Sequence, residues 1–449
     1  MTDPTDESTT HEPLHLTLHA QNLHFSPTLA IDELVVKKKL INSDILHMGF
    51  GESTMPLHPL LKKALSDAAT YTRYGPVRGL SELRVAIAEY LNRTRKIQCT
   101  SDQIVIGPGS KSLIYAILRL LEGDVLLPNP SWVSYAPIAR LGGKKAILVQ
   151  TDPSDHHTLS KHILTQTLTA AIKNGANPKI LLINSPDNPT GTMFEENTVK
   201  EIATWAKENG ISLISDEIYA ELSHGWRKHV SPYLYYPQGC IITGGMSKTF
   251  SAGGWRLGYI VLPKTDKGEK VIDAIRAFGS EVWSTTATPI QKAAVFAYKP
   301  NNSIEDYIAN SAAAFGYVTE QLYKTFQTLD LPCPRPAGGF YLYPDFSKWR
   351  KILAQHNVHT GKDLSHYLLD VWNIATLSAS AFNEDPFTLR LRLSTSGLCE
   401  PEVYDNPQKR EEKLWEILDQ VHKKNFNSLF PVLTKAQERW SLVIKYFTK

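Results

Sequence analysis

Three short apolar runs end in residues that could share one reaction. KILLINSPDN delivers Asn188, ISLISDEIY delivers Asp216 and CIITGGMSK delivers Lys248. In an open α/β sheet the carboxyl ends of the strands border the ligand crevice, so an amide, an acid and an amine can meet there. A lysine beside apolar strands, with a second cation near it, holds its proton less tightly and becomes a nucleophile toward an aldehyde. Arg256, eight positions after Lys248 in SKTFSAGGWRLGY, can supply that second charge.

These runs belong to a longer series. GFGES, YGPVRGLSELR, PSWVSY, SPDNPTG, SDEIY, SKTFSAGGWRLGY, PAGGFYLY and RLRLS follow one another between Leu29 and Leu398. In that order and spacing the chain resembles the class I/II aminotransferases, enzymes of pyridoxal 5′-phosphate (PLP) fold type I. The resemblance implies that Lys248 forms the Schiff base with the cofactor aldehyde and relays a proton between the substrate Cα and the cofactor C4′. It implies that Asp216 pairs with the pyridinium nitrogen and keeps the ring an electron sink. Asn188 and Tyr219 then hydrogen-bond the phenolic oxygen, and Trp132 stacks on the ring.

For the phosphate, GPGSKSLIYAIL offers a glycine-rich turn opening a helix, whose free N–H groups at Gly109, Ser110 and Lys111 suit an anion. Arg256 resembles the family's phosphate-binding arginine, its planar fork matching two oxygens, and Ser247 is a further candidate donor. Tyr74 resembles a tyrosine that reaches the phosphate of the neighbouring subunit, which implies a homodimer with shared active sites. Arg392, in RLRLS, aligns with the arginine that grips the substrate α-carboxylate. Arg390 lies one strand period away and would face the same side, so the sequence leaves both open. Gly51 resembles the loop glycine lying close to the substrate, beside which Asn188 also sits.

Plainer readings stand beside these. Asp216 could cap the next helix and Asn188 could hold its turn. Trp132 and Tyr219 could be core aromatics, Arg256 could close an ion pair, Tyr74 could pack under its turn, and Arg392 could be an exposed strand charge. Gly109 to Lys111 could be an ordinary helix start and Gly51 only a turn residue. The pattern also departs from the family at named places. Gly245 stands where many relatives have a phosphate-contacting serine, Ser378 and Ala379 replace a common Pro-Gly, and Arg78 replaces a small residue and reads as a solvated charge.

The elements that must position these groups alternate. Apolar residues at helical spacing, as in LHPLLKKALSDA and GLSELRVAIAEYL, are interleaved with the β-rich runs QIVIG, DVLLP, KAILVQ, KILLINS, ISLISDE and CIITGG. That alternation predicts an α/β fold, which the resemblance sharpens to a large domain with a mostly parallel seven-stranded sheet between helices. A long helical stretch after Pro300, then PAGGFYLYPDF and TLRLRLSTSG, predicts a smaller α+β domain with amphipathic helices packed outside it. The expected division is a flexible arm at 1–25, a segment at 26–55 joining the small domain, a PLP-binding domain at 56–299 and a small domain at 300–449.

Bulk properties narrow the function. Forty-eight basic residues against 45 acidic give a net charge of +3, with no block of one sign to attract nucleic acid or anionic lipid. The four cysteines are far apart and predict neither a disulfide framework nor a metal site. No apolar run is long enough to span a bilayer, and the acidic, polar N-terminus MTDPTDESTTHEP lacks the features of a secretion or transit signal, so a cytoplasmic location is expected. No G-x-G-x-x-G follows an early strand, which argues against a nicotinamide dehydrogenase. The short N-terminal arm has no helix-turn-helix pattern that would suit a PLP-binding regulator. The expected reaction is transfer of an amino group from an amino acid to a 2-keto acid. The alternative is elimination, replacement, decarboxylation or condensation on the same cofactor.

Overall fold

The computed structural model describes residues 14–16, 21, 25–41, 44–401, 406–421 and 427–448. Most of the expected arm at 1–25 lies outside the described residues. Twelve strands occur among them: β1 (Leu46–His47), β2 (Ile104–Gly107), β3 (Asp124–Asn129), β4 (Ala146–Gln150), β5 (Pro178–Asn184), β6 (Ser212–Asp216), β7 (Cys240–Gly245), β8 (Gly258–Val261), β9 (Tyr341–Leu342), β10 (Ile374–Ala375), β11 (Leu377–Ser378) and β12 (Leu391–Ser394).

The central sheet has seven strands in the order β2-β8-β7-β6-β5-β3-β4. Only β8 runs against its neighbours, antiparallel to both β2 and β7. Six strands match the six apolar runs read from the sequence. The seventh, β8, lies within the stretch that begins with the SKTFSAGGWRLGY motif, where residues noticed for their chemistry masked a strand.

Alternate side chains of each strand enter different cores, as a period of two demands. Leu126, Leu181, Ile183, Leu213 and Ile242 join one apolar cluster, while Val125, Leu127, Ile180, Leu182 and Ile214 join the other. Helices cover both faces, so the strands read as continuous apolar runs without polar alternation. Each such buried aliphatic side chain contributes about 1.5–3 kcal/mol. The helix Ser110–Leu120 turns Leu113, Ile114, Ile117 and Leu118 inward, at the spacing that gives one buried stripe.

The 27-residue helix Asn302–Thr328 leads away from this sheet, its first turn capped by Asn301, whose side chain accepts from the Ile304 N–H. It reaches a three-stranded sheet in the order β11-β12-β9. β1 pairs in parallel with β10, Leu46 opposite Ile374, so the chain's early segment is sewn to this second region. The helices Pro407–Gln420 and Pro431–Thr448 pack on its outside through Leu414, Ile417, Trp440 and Val443.

Candidate active site

A cavity of about 440 Å³ opens where β5, β6 and β7 end. Of the residues singled out in the sequence, Gly51, Ser110, Lys111, Trp132, Asn188, Asp216, Tyr219, Ser247, Lys248, Arg256 and Arg392 line it. Gly109 is set just behind the wall and Tyr74 is elsewhere, on the surface and 89% exposed.

The floor is built on strand ends. Asp216 closes β6 and lies opposite Asn184 of β5. The Asn184 carboxamide donates to the Asp216 carbonyl at 2.8 Å and accepts the Asn188 N–H at 3.0 Å, so one side chain ties the SPDNPTG turn to the acid. Asp187 stiffens that turn by accepting from the Thr190 N–H and hydroxyl. The Asp216 carboxylate accepts from Tyr135 Oη at 2.7 Å, Thr243 Oγ1 at 3.0 Å and the Ile218 N–H at 3.3 Å. All three donors are neutral, and burial pushes its pKa up to about 6 despite them. The Ile218 bond means that part of its plainer role, bonding the next turn, is also real.

Lys248 is the third residue of the short helix Met246–Thr249 that follows β7, and its Nζ donates to the Gly51 carbonyl. Removal from water pushes its pKa down to about 8; Glu52 opposes this, while Arg392, Arg256 and Lys111 add to it. Tyr219 Oη and Tyr341 Oη share a 2.7 Å hydrogen bond, and burial holds the Tyr219 pKa well above its ordinary value, so it remains a neutral donor. A Cβ at Gly51 would collide with the Tyr341 ring, which is why glycine is needed there.

Arg392 is 1% exposed and is therefore no surface charge. It donates to the Gly49 carbonyl and to Asn188 Oδ1 at 3.4 Å, lies over the Tyr341 ring at 5.1 Å, and has a buried Nε without a partner among the described residues. Arg390 does not share its side. It is held by Glu384 and Asp345, at 2.6 and 3.1 Å, and is absent from the cavity lining. The expectation that both would face one way fails because Arg390 precedes the regular strand, in an isolated bridge to Asp345.

The opposite end of the cavity is cationic and open. Gly109, with φ +86°, starts the helix Ser110–Leu120, and a Cβ on it would come within 2.5 Å of Arg256 Nη2. Arg256 itself adopts a left-handed backbone, φ +50°, a conformation that non-glycine residues keep mainly where the surroundings enforce it. Its Nη1 donates to the Gly253 carbonyl at 2.8 Å, and it makes no ion pair among the described residues. Lys111 Nζ lies 4.9 Å from the Trp132 ring. Gly245 has no room for a serine, since a Cβ would meet the Leu257 carbonyl at 2.7 Å. Ser378 caps the turn Ala379–Phe382. Arg78 is bound to the carbonyls of Ile104 and Asp102, away from this cavity, and is not a freely solvated charge.

Sequence reasoning missed Tyr135, Asn184, Thr243 and Tyr341. Tyr135 and Tyr341 lie inside the quoted motifs PSWVSY and PAGGFYLY; Asn184 and Thr243 sit at strand ends, where the crevice rule points.

These groups fit PLP. A helix start with an acid-free arginine suits its phosphate, a buried carboxylate without a cation suits its ring nitrogen, and a lysine of lowered pKa suits its aldehyde.

Comparison with known proteins agrees. The chain is 31% identical over 413 residues to a probable aspartate/prephenate aminotransferase of Aquifex aeolicus, covering 90% of this chain and 99% of that one. It is 30% identical over 381 residues to the aspartate aminotransferase of Bacillus subtilis, covering 83% and 92%. The aspartate aminotransferase of Thermus thermophilus, solved with maleate, superposes with a TM-score of 0.77 at 24% identity, over 91% of this chain and all of that one, and so shares the fold. The model of the family aminotransferase class I and II matches residues 43–405, and the chain belongs to that family.

Proposed function

We propose that this aminotransferase holds PLP on Lys248 and takes the amino group of aspartate or a similar acidic amino acid, passing it to a 2-keto acid. The observation that carries this is the convergence of Lys248, Asp216 and Arg392 on one cavity from three separate parts of the chain. The names of the relatives support aspartate as donor. The lining supports anionic substrates generally, with Lys111, Lys248, Arg256 and Arg392 set against Glu52 and Asp216.

When bound, PLP supplies an electron sink for the charge left at the substrate Cα. The chain's residues do the rest. Arg392 grips the α-carboxylate, with Asn188 Oδ1 steadying the guanidinium, and the fixed fork sets the Cα–H bond toward the lysine. Lys248 Nζ takes that proton and returns it one position along. Asp216, locked by Tyr135 and Thr243, presents its carboxylate to the ring nitrogen. Tyr219 and Asn188 donate to the phenolic oxygen and Trp132 fixes the ring plane. Gly109, Ser110, Lys111, Ser247 and Arg256 hold the phosphate.

Lys111 and Arg256 are exposed in a single chain. We therefore assign Tyr74 to the cavity of a second copy, in a homodimer with shared sites; its 89% exposure suits that role. The two-domain division at 56–299 and 300–449, with 26–55 joined to the second, is part of the same proposal. So is a cytosolic location, which suits four unpaired cysteines. No helix among the described residues is long and apolar enough to cross a membrane.

Borohydride reduction followed by digestion and mass spectrometry tests the reading. A pyridoxyl group on Lys248, with aspartate and a 2-keto acid giving exchanged products, is expected. An unmodified Lys248 overturns it; a modified Lys248 without exchange from any acidic donor overturns only the substrate assignment.

A further inference from the structure

A second concave pocket, of about 750 Å³, lies between the turn Pro76–Gly79 and the helices Ser81–Arg95 and Asp266–Val282. Three guanidinium groups line it, those of Arg78, Arg84 and Arg276, with Asp273 the one acid in its wall. None of them belongs to the cavity described above.

The three charges are poorly matched by acids. Arg78 makes no ion pair among the described residues; Nε and Nη2 donate to the main-chain carbonyls of Ile104 and Asp102. Arg84 is 13% exposed and is likewise held by carbonyls, Nε by Gly79 at 3.3 Å and Nη1 by Ser101 at 2.6 Å. The Asp102 carboxylate is 3.8 Å from Arg84 and 85% exposed, a distance and setting that screen most of its attraction. Arg276 is paired within its own helix to Asp273 at 2.9 Å.

Main-chain carbonyls orient a guanidinium without cancelling its charge. They fix Arg78 and Arg84 in place and leave Nη1 of the first and Nη2 of the second without a hydrogen-bond partner among the described residues, out of five donors each. Burial is the main cause that lowers the pKa of both; Asp102 opposes it at each and Asp273 at Arg78, while Arg276 adds to it at Arg78 and Arg78 adds to it at Arg84. Like charges gathered and oriented around one concavity are repelled by each other and stabilised by an anion of more than one charge.

We propose that this pocket is a second anion site, which takes a phosphate or phosphate monoester on Arg78, Arg84 and Arg276. Planar forks that approach from three elements match an oxyanion with several acceptor oxygens better than a halide or a single carboxylate. The site also has a route to the rest of the molecule. The Arg78 carbonyl accepts the Ile106 N–H of β2 at 3.0 Å, and β2 runs directly into Gly109. Tyr74 lies two residues before that turn, so an anion on Arg78 ties down the segment next to it.

The test is calorimetric titration of the PLP-loaded enzyme, prepared free of phosphate in chloride at fixed ionic strength. Inorganic phosphate and then glycerol 3-phosphate are the probes. Saturable binding of one anion per chain is expected, weakened about ten-fold by Arg78→Gln and by Arg276→Gln, the loss of roughly one charge-assisted pair. Transamination without added phosphate is expected to be unchanged in both variants. Tighter binding of glycerol 3-phosphate identifies a monoester as the ligand, and equal binding identifies the free anion. The control Arg119→Gln, an exposed arginine outside the pocket, leaves binding as it was. Heat that does not saturate, or binding that survives both substitutions, overturns the proposal. So does a crystal structure in which a carboxylate of a second subunit fills the pocket.

Discussion

The end of β6 carries two adjacent carboxylates that face two different regions. Asp216 faces the cavity and, among the described residues, is met only by neutral donors, so burial raises its pKa to about 6. Glu217 faces away, fully buried against Arg95 at 3.0 Å, His229 at 3.2 Å and the Ser231 hydroxyl at 2.5 Å. Burial alone would push Glu217 up as well, but His229 and Arg95 hold it down at about 2. The protein supplies a cation for one acid and withholds it from the other. Arg390 and Arg392 repeat the contrast in opposite charge, the first closed by Glu384 and Asp345 and the second left with an open Nε. Groups closed by the chain's own partners hold the fold together, whereas groups left open await a ligand.

Substitution can break this division. Asp216→Asn keeps the shape but removes the charge that the ring nitrogen needs. A fall in transamination of about 1000-fold is expected, at the upper part of the range for a lost transition-state charge contact. Without cofactor, the variant should melt no lower than the parent. A variant that transaminates at the parental rate would break the contrast at once.

Glu217→Gln should behave in the opposite sense. It strands Arg95, 9% exposed, beside a single remaining acid, Glu221. A loss of about 3 kcal/mol in denaturant unfolding is expected, with the rate per folded molecule within a few-fold of the parent. Next in size is Arg392→Lys, which keeps the charge and loses the fork. We expect kcat/KM to drop about 100-fold, mostly through KM, while Arg390→Lys alters stability and leaves KM alone.

The smallest effect is also the sharpest test, because the two acids have opposite linkage. The folded pKa of Asp216 is raised from 3.8 to about 6, so in cofactor-free protein its contribution is present below 3.8 and lost as pH rises through 6. Glu217 is lowered from 4.5 to about 2, so its contribution is present above 4.5 and lost as pH falls through 2. Unfolding measured from pH 3 to 7 should show Asp216→Asn gaining on the parent as pH rises from 4 to 6. The deficit of Glu217→Gln should shrink as pH falls below 4.5. Parallel curves for the two variants would mean that the environments do not differ.

Much of this was written in the sequence. Strands buried on both faces must be apolar throughout, so six of seven could be read directly, and chemistry at strand ends follows from topology, so Lys248, Asp216 and Asn188 stood out from their neighbours. The sequence was silent where contacts join residues far apart in the chain. It did not place β8 between β2 and β7, nor show that Tyr135 and Thr243, 108 positions apart by number, grip the same carboxylate. Local spacing could not separate Arg390 from Arg392, nor show that Glu217, beside Asp216, is closed by Arg95 and His229, because residue type sets only what a side chain is able to do. Which charge is answered by the protein and which is left open depends on partners brought in from distant segments, and only the folded chain assembles those.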